Sequence, residues 1–255
     1  MYKMHNRHEI DEKAPLEKRP AVNYTDIQES GLSAAFNGAN MSVTHVFFDL
    51  DGTLTDPKEG ITNSVAYALS HFGIEVEDKS ELIPFIGPPL WDSFEKFYGF
   101  SRRDSSRAVT YFREYFADRG IFENYLFDGA REMLERLKES GKSISLATSK
   151  PTEFAVRILK RFEIDGFFHV TAGSEMNGER VRKDEVIKYA LEQNGFPPPE
   201  RVIMIGDREH DIIGARSCSV RSMGVLYGYG GREELIAAGA DIICERISDI
   251  PMLIK

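Results

Sequence analysis

From Met41 onward, short apolar runs of strand length alternate with apolar stripes of helical spacing. "THVFFDL" at 44–50, "SISLATS" at 143–149 and "RVIMIGD" at 201–207 read as strands; "FFHVTAG" (167–173), "RSMGVLY" (221–227) and "ADIICE" (240–245) extend the set. Between them, "GAREMLERLKESG" aligns Ala130, Met133, Leu134 and Leu137 on one helical face and stops at Gly141. "PTEFAVRILKRF" predicts a helix with Pro151 as its first residue. "KDEVIKYALEQNG" aligns Val186, Ile187, Ala190 and Leu191. Strands alternating with amphipathic helices predict an α/β fold with a parallel sheet covered on both faces.

One connection is too long for that pattern. A crossover unit takes about 30 residues, yet Asp49 and Thr148 are 99 positions apart. The excess reads as helices: "ITNSVAYALSHFG", with Ile61, Val65, Ala68, Leu69 and Phe72 on one stripe, then "LWDSFEKFYGF" and "SSRAVTYFREYFADRG". The expected organisation is a Rossmann-like core over 41–56 and 128–255 with a helical cap inserted at 57–127. Residues 1–40 are polar, mixed in charge and weakly periodic, and read as an extension without a fixed fold.

The chain has 255 residues, 42% of them hydrophobic, and a formal net charge of -9. An acidic chain without a long basic tract is a poor nucleic-acid binder. Its two cysteines, Cys218 and Cys244, stand alone, which argues against a zinc site and fits a reducing compartment. Neither a membrane-length apolar run nor a signal-peptide pattern occurs. A soluble cytoplasmic protein, monomeric or weakly dimeric, is the expectation.

The first strand ends in Asp49 and Asp51. Ligands of open parallel sheets bind beyond the carboxyl ends of the strands, and residues i and i+2 of a strand share a face. Two such carboxylates repel unless a positive charge lies between them, and a hard divalent cation with oxygen ligands suits them. Alone the pair is weak evidence, because Asp after a strand also caps helices and forms turns. Other strand ends add hydroxyls at Thr148 and Ser149 beside Lys150, and carboxylates at Asp207 and Asp211, with Lys183 between them in sequence. Carboxylates, hydroxyls and a lysine converging on one sheet edge suit a phosphate and a metal together.

"DLDGTLTD" at 49–56, "ATSKP" at 147–151, Lys183 and "GDREHD" at 206–211 resemble the four motifs of the haloacid dehalogenase-like phosphohydrolases, in the same order and spacing over residues 43–255. The insertion resembles that superfamily's type-1 helical cap. "FIGPPLWDSF" and "GVLYGYGGREEL" resemble its phosphoglycolate phosphatase branch. The resemblance implies a Mg2+-dependent phosphomonoesterase acting on a small phosphorylated metabolite, with phosphoglycolate or a nucleoside monophosphate as candidates. It implies Asp49 as nucleophile and metal ligand. Asp51 becomes the general acid–base, binding the metal through its backbone carbonyl; Asp207 is a metal ligand, and Asp211 a ligand or an orienting group. Thr148 would bind the transferring phosphoryl group. Ser149 stands where that branch commonly has asparagine. Lys183 is the expected phosphate-binding lysine although Asp184, not proline, follows it; Lys150 is the competing choice, and the lysine not used would be an ordinary solvated side chain.

Gly52 permits a sharp exit from the first strand, and Gly87 in "IGPP" would let backbone approach the substrate. The cap aromatics Phe94, Phe97, Tyr111, Phe112, Tyr115 and Phe116 read as cap core, and His210 as an exposed helix residue. A phosphosugar mutase and a non-catalytic phospho-ligand sensor are the alternative functions.

Overall fold

The computed structural model describes residues 42–254 and the backbone of 22–23. Apart from that backbone, the expected N-terminal extension lies outside the described residues. A parallel sheet runs in the order β1 (Val22–Asn23), β9 (Ile242–Cys244), β8 (Arg221–Val225), β7 (Val202–Gly206), β2 (His45–Phe48), β5 (Ser143–Pro151), β6 (Val170–Ser174). From β2 the chain builds β5 and β6 on one side, then crosses back to build β7, β8 and β9 on the other. β2 is therefore the topological switch point, and a crevice forms at its carboxyl end.

Both faces of the sheet are covered, which explains the unbroken apolar strands. Val46 and Phe48 of β2 belong to one buried cluster with Ile144, Leu146, Ile203 and Ile205. Phe47 points the other way, into a cluster with Val186, Ile187 and Ala190. Those last three lie on α6 (Lys183–Gln193). Met133, Leu134 and Leu137 of α4 (Ala130–Glu139) cover the first face, as the stripe predicts. Pro151 is the last residue of β5 and the N-cap of α5 (Thr152–Arg161), not its first helical residue. Its ψ of 133° is extended, so the helix cannot begin there.

Between β2 and β5 lie α1 (Lys58–Ser70), α2 (Leu90–Tyr98) and α3 (Arg102–Asp118). Ser101 accepts the Asp104 N–H at 3.1 Å, so α3 starts at Arg102, three residues before the segment "SSRAVTYFREYFADRG" read from the pattern. Val65, Leu69, Phe94, Val109 and Phe112 pack together, and their cluster runs on into the sheet face carrying Val46. The chain leaves and re-enters through a two-residue antiparallel ribbon, β3 (Thr55–Asp56) with β4 (Tyr125–Leu126). The sequence pattern did not predict this ribbon, because two-residue strands carry no periodicity.

Candidate active site

Asp49 follows β2 directly, and its N–H donates to Ile205 O of β7 at 2.9 Å. β2 ends at Phe48, so strand alternation does not aim the two aspartates. Asp51 lies two residues on, in a turn closed by Gly52 N–H donating to Thr55 O at 2.8 Å. Gly52 adopts φ +82°, and a Cβ there would lie 2.3 Å from Asp207 Oδ2. Glycine is required on both counts.

The carboxylates are divided between two buried lysines. Lys183, the first residue of α6, places Nζ 2.9 Å from Asp49 Oδ1 and 2.7 Å from Asp211 Oδ1, and donates to Ala147 O at 3.2 Å. Burial alone would lower the lysine's pKa, but the charges of Asp211 and Asp49 outweigh it and raise the pKa. Lys150 places Nζ 2.5 Å from Asp51 Oδ2 and 4.6 Å from the centre of the Phe116 ring. The expectation that the second lysine would be solvated is thus corrected: Lys150 is buried. A register shift between Ala147 and Pro151 in β5 carries it inward. Gly173 of β6 makes room, since a Cβ there would lie 2.6 Å from Lys150 O.

Asp207 follows β7, and Asp211 lies in the first turn of α7 (Glu209–Ser217). Asp211 uses its two oxygens differently: Oδ2 accepts the Arg208 N–H at 3.1 Å, capping the helix, while Oδ1 faces Lys183. Asp207 accepts from Tyr229 N–H at 2.8 Å and Thr53 Oγ1 at 3.3 Å. Glycines surround these acids. A Cβ on Gly206 would lie 2.1 Å from Asp211 Cγ, and one on Gly228 2.4 Å from Asp207 Cβ.

Oxygen atoms of Asp49, Asp207 and Asp211 lie within 4.8 Å of one another, and all three residues are buried. Burial and the charges of Asp211 and Asp49 push the Asp207 carboxyl up to about 8. Three buried acids with one lysine leave an excess of negative charge that a divalent cation relieves, and an all-oxygen donor set suits Mg2+. The residues present therefore fit that ion. The Asp51 side chain stands apart from this group, on Lys150; its Oδ1 is buried without a hydrogen-bond partner. Burial raises the Asp51 pKa, Lys150 counters, and Asp49 raises it further.

Thr148 is buried, and its Oγ1 accepts the Lys150 N–H at 3.2 Å. Ser149 and Gly87 line two clefts on either side of the 87–89 loop. Gly87 has φ +104° and lies against Arg208, whose Nη1 donates to Ile86 O at 2.7 Å. Arg208 also pairs with Glu234 at 2.9 Å, so it ties the loop before α2 to the sheet domain. Arg157 of α5 donates to Ala117 O of α3 at 2.9 Å, a second tie of the same kind. Sequence reasoning missed Arg208 and Thr53; both lie inside recognised motifs, but their partners are distant in sequence. Phe112 and Phe116 are buried as expected but also line a cleft, and Phe97 is exposed rather than core. His210 is partly buried and lines the second cleft, not an open helix face.

A family model described as haloacid dehalogenase-like hydrolase matches residues 46–225. A 5'-nucleotidase of Pseudomonas aeruginosa is 42% identical over 217 residues, spanning 85% of this chain and 98% of that protein. The tyrosine-protein kinase PtkA of Mycobacterium tuberculosis is 40% identical over 185 residues, 72% of this chain and 62% of that one. The crystal structure of a predicted phosphatase from Clostridium acetobutylicum superposes with a TM-score of 0.81 at 44% identity, covering 84% of this chain and 99% of the other. No helix of the described residues is long and apolar enough to cross a membrane.

Proposed function

This chain belongs to the haloacid dehalogenase-like hydrolase family, and from that membership and its two acid–lysine pairs we propose a magnesium-dependent phosphatase acting on a small-metabolite phosphomonoester. The observation that carries the reading is the pairing itself. Lys183 holds Asp49 beside Asp207 and Asp211, while Lys150 holds Asp51 separately. Two acids in different environments suit two different roles.

Asp49 is the nucleophile. Its carboxylate attacks phosphorus, the bond from phosphorus to the leaving oxygen breaks, and an aspartyl-phosphate forms. Asp51 delivers its proton to the leaving oxygen, a role consistent with the partnerless Oδ1 and the raised pKa. A water molecule then attacks the aspartyl-phosphate, Asp51 takes the water's proton, and phosphate departs with Asp49 restored. Lys183 and the Thr148 hydroxyl bind the transferring group's oxygens. Asp49, Asp207, Asp211 and the backbone carbonyl of Asp51 would hold Mg2+. The ion supplies positive charge against the phosphoryl oxygens.

The relative named 5'-nucleotidase makes nucleoside monophosphates candidates, beside the phosphoglycolate suggested by the sequence motifs. The test is phosphate release from a panel of phosphomonoesters with Mg2+ and after chelation. Failure of every ester in saturating Mg2+ would sink the reading.

A further inference from the structure

Two clefts meet the site, and they differ in chemistry. The first holds about 630 Å³ of atom-free space, partly open to solvent, and Asp51 lines it together with Lys150. The second, on the other side of the 87–89 loop, holds about 610 Å³ and is lined by Lys183, Arg182, Asp184 and His210, but not by Asp51. A general acid must lie within hydrogen-bond reach of the leaving oxygen. The leaving group therefore extends into the first cleft.

The walls of that cleft are apolar. Trp91, Phe112 and Phe116 come from the inserted helices, and Pro151 and Phe154 from the core. Two cations border it, Lys150 and Arg113, and both already lie against aromatic rings. Lys150 is bound to Asp51 and lies over Phe116. The Arg113 guanidinium lies 5.1 Å from the centre of the Trp91 ring and donates to Met176 O at 2.6 Å. A carboxylate or second phosphate on the leaving group would find one cation without a carboxylate partner, Arg113, and would otherwise lose water against apolar walls. An aromatic ring would gain stacking partners and lose little.

Building on the phosphatase reading, we infer that the preferred substrate carries an aromatic ring on its leaving alcohol, seated between Trp91 and the Phe112–Phe116 wall, and that Trp91 is the main specificity-determining residue. A nucleobase and a simple aryl group share this chemistry. Glycolate does not, so the chain is not selective for 2-phosphoglycolate.

Two matched pairs of esters separate ring binding from leaving-group reactivity. UMP and ribose 5-phosphate both release a primary sugar hydroxyl and differ in the base. Ethyl phosphate and 2-phenylethyl phosphate both release a primary alkyl alcohol and differ in the phenyl ring. Each is assayed by phosphate release at saturating Mg2+, with 2-phosphoglycolate alongside. The expected result is that at least one aromatic member exceeds its partner about 10- to 100-fold in kcat/KM, the range of a stacked ring. Preference within the first pair alone assigns a nucleoside; preference within both assigns any aromatic alcohol. Trp91→Ala should bring the preferred ratio close to one, and Trp91→Phe should keep most of it. Comparable turnover within both pairs, or 2-phosphoglycolate as the best substrate, overturns the inference and leaves the phosphatase reading standing. No phosphate from any ester overturns both.

Discussion

Lys150 and Asp51 form a buried ion pair across 99 residues of chain, and the same ammonium rests 4.6 Å from the ring of Phe116 in the inserted helices. One lysine thus joins the proposed proton donor to the segment that covers it. Breaking a buried pair by removing one partner leaves a stranded charge. In Lys150→Met, Asp51 should lose the influence that lowers its pKa, so its carboxyl should stay protonated to higher pH. The alkaline limb of the kcat–pH profile, measured in saturating Mg2+, should move to higher pH, with kcat at neutral pH down at least about tenfold. Lys150→Arg should move the limb less. An unshifted limb in Lys150→Met would show that the lysine only fills space.

Asp49→Asn keeps the shape of the side chain and removes the nucleophile's charge. Turnover should fall by about 10³-fold or more, with an unchanged far-ultraviolet circular dichroism spectrum. Phosphate release near the wild-type rate at equal purity would contradict the nucleophile assignment.

Chelation tests the acid cluster. EDTA should abolish turnover and Mg2+ restore it, whereas Ca2+ should inhibit because its coordination is larger and looser. Mg2+ should raise the melting temperature of the wild type, because an ion that binds only the folded state stabilises it. Asp207→Asn should reduce that gain. Full activity after exhaustive chelation would refute the metal proposal.

Gly52→Ala places a methyl group 2.3 Å from Asp207 Oδ2 on a backbone of φ +82°. Strained backbone of this kind costs about 1–3 kcal/mol before any clash. Denaturant melts should show at least that loss, with activity abolished. A wild-type midpoint would mean that the loop relaxes easily.

Gly87→Ala also places a side chain on a positive-φ backbone, at +104°, but with less steric overlap. Its Cβ would lie 3.0 Å from Arg208 Cγ, pressing on the residue that holds Ile86 O. KM for the preferred ester should rise more than kcat falls, because the substitution disturbs the cover and not the reacting groups. A pure kcat loss would place the loop in the chemistry.

The alternation of apolar runs and helical stripes was enough to predict the α/β class. The long gap between Asp49 and Thr148 was enough to expose the helical insertion. Local periodicity carries both signals. The positions of Asp49, Asp51, Thr148, Lys183, Asp207 and Asp211 were legible because glycines, hydroxyls and acids at strand ends repeat a recognisable order. Which lysine serves which acid was not legible. That depended on a register shift in β5, which turns Lys150 inward, and on α6 starting at Lys183 under the strand ends. The double duty of Asp211 and the tie from Arg208 to Ile86 were likewise hidden, since each joins segments distant in sequence. So was the character of the leaving-group cleft. Phe112 and Phe116 read as interior from their spacing alone, and only the packing of the inserted helices against β5 and α5 decides that they also face Asp51's cleft. A side chain's spacing fixes which face of its helix it occupies; what lies opposite that face is set by how the whole chain packs.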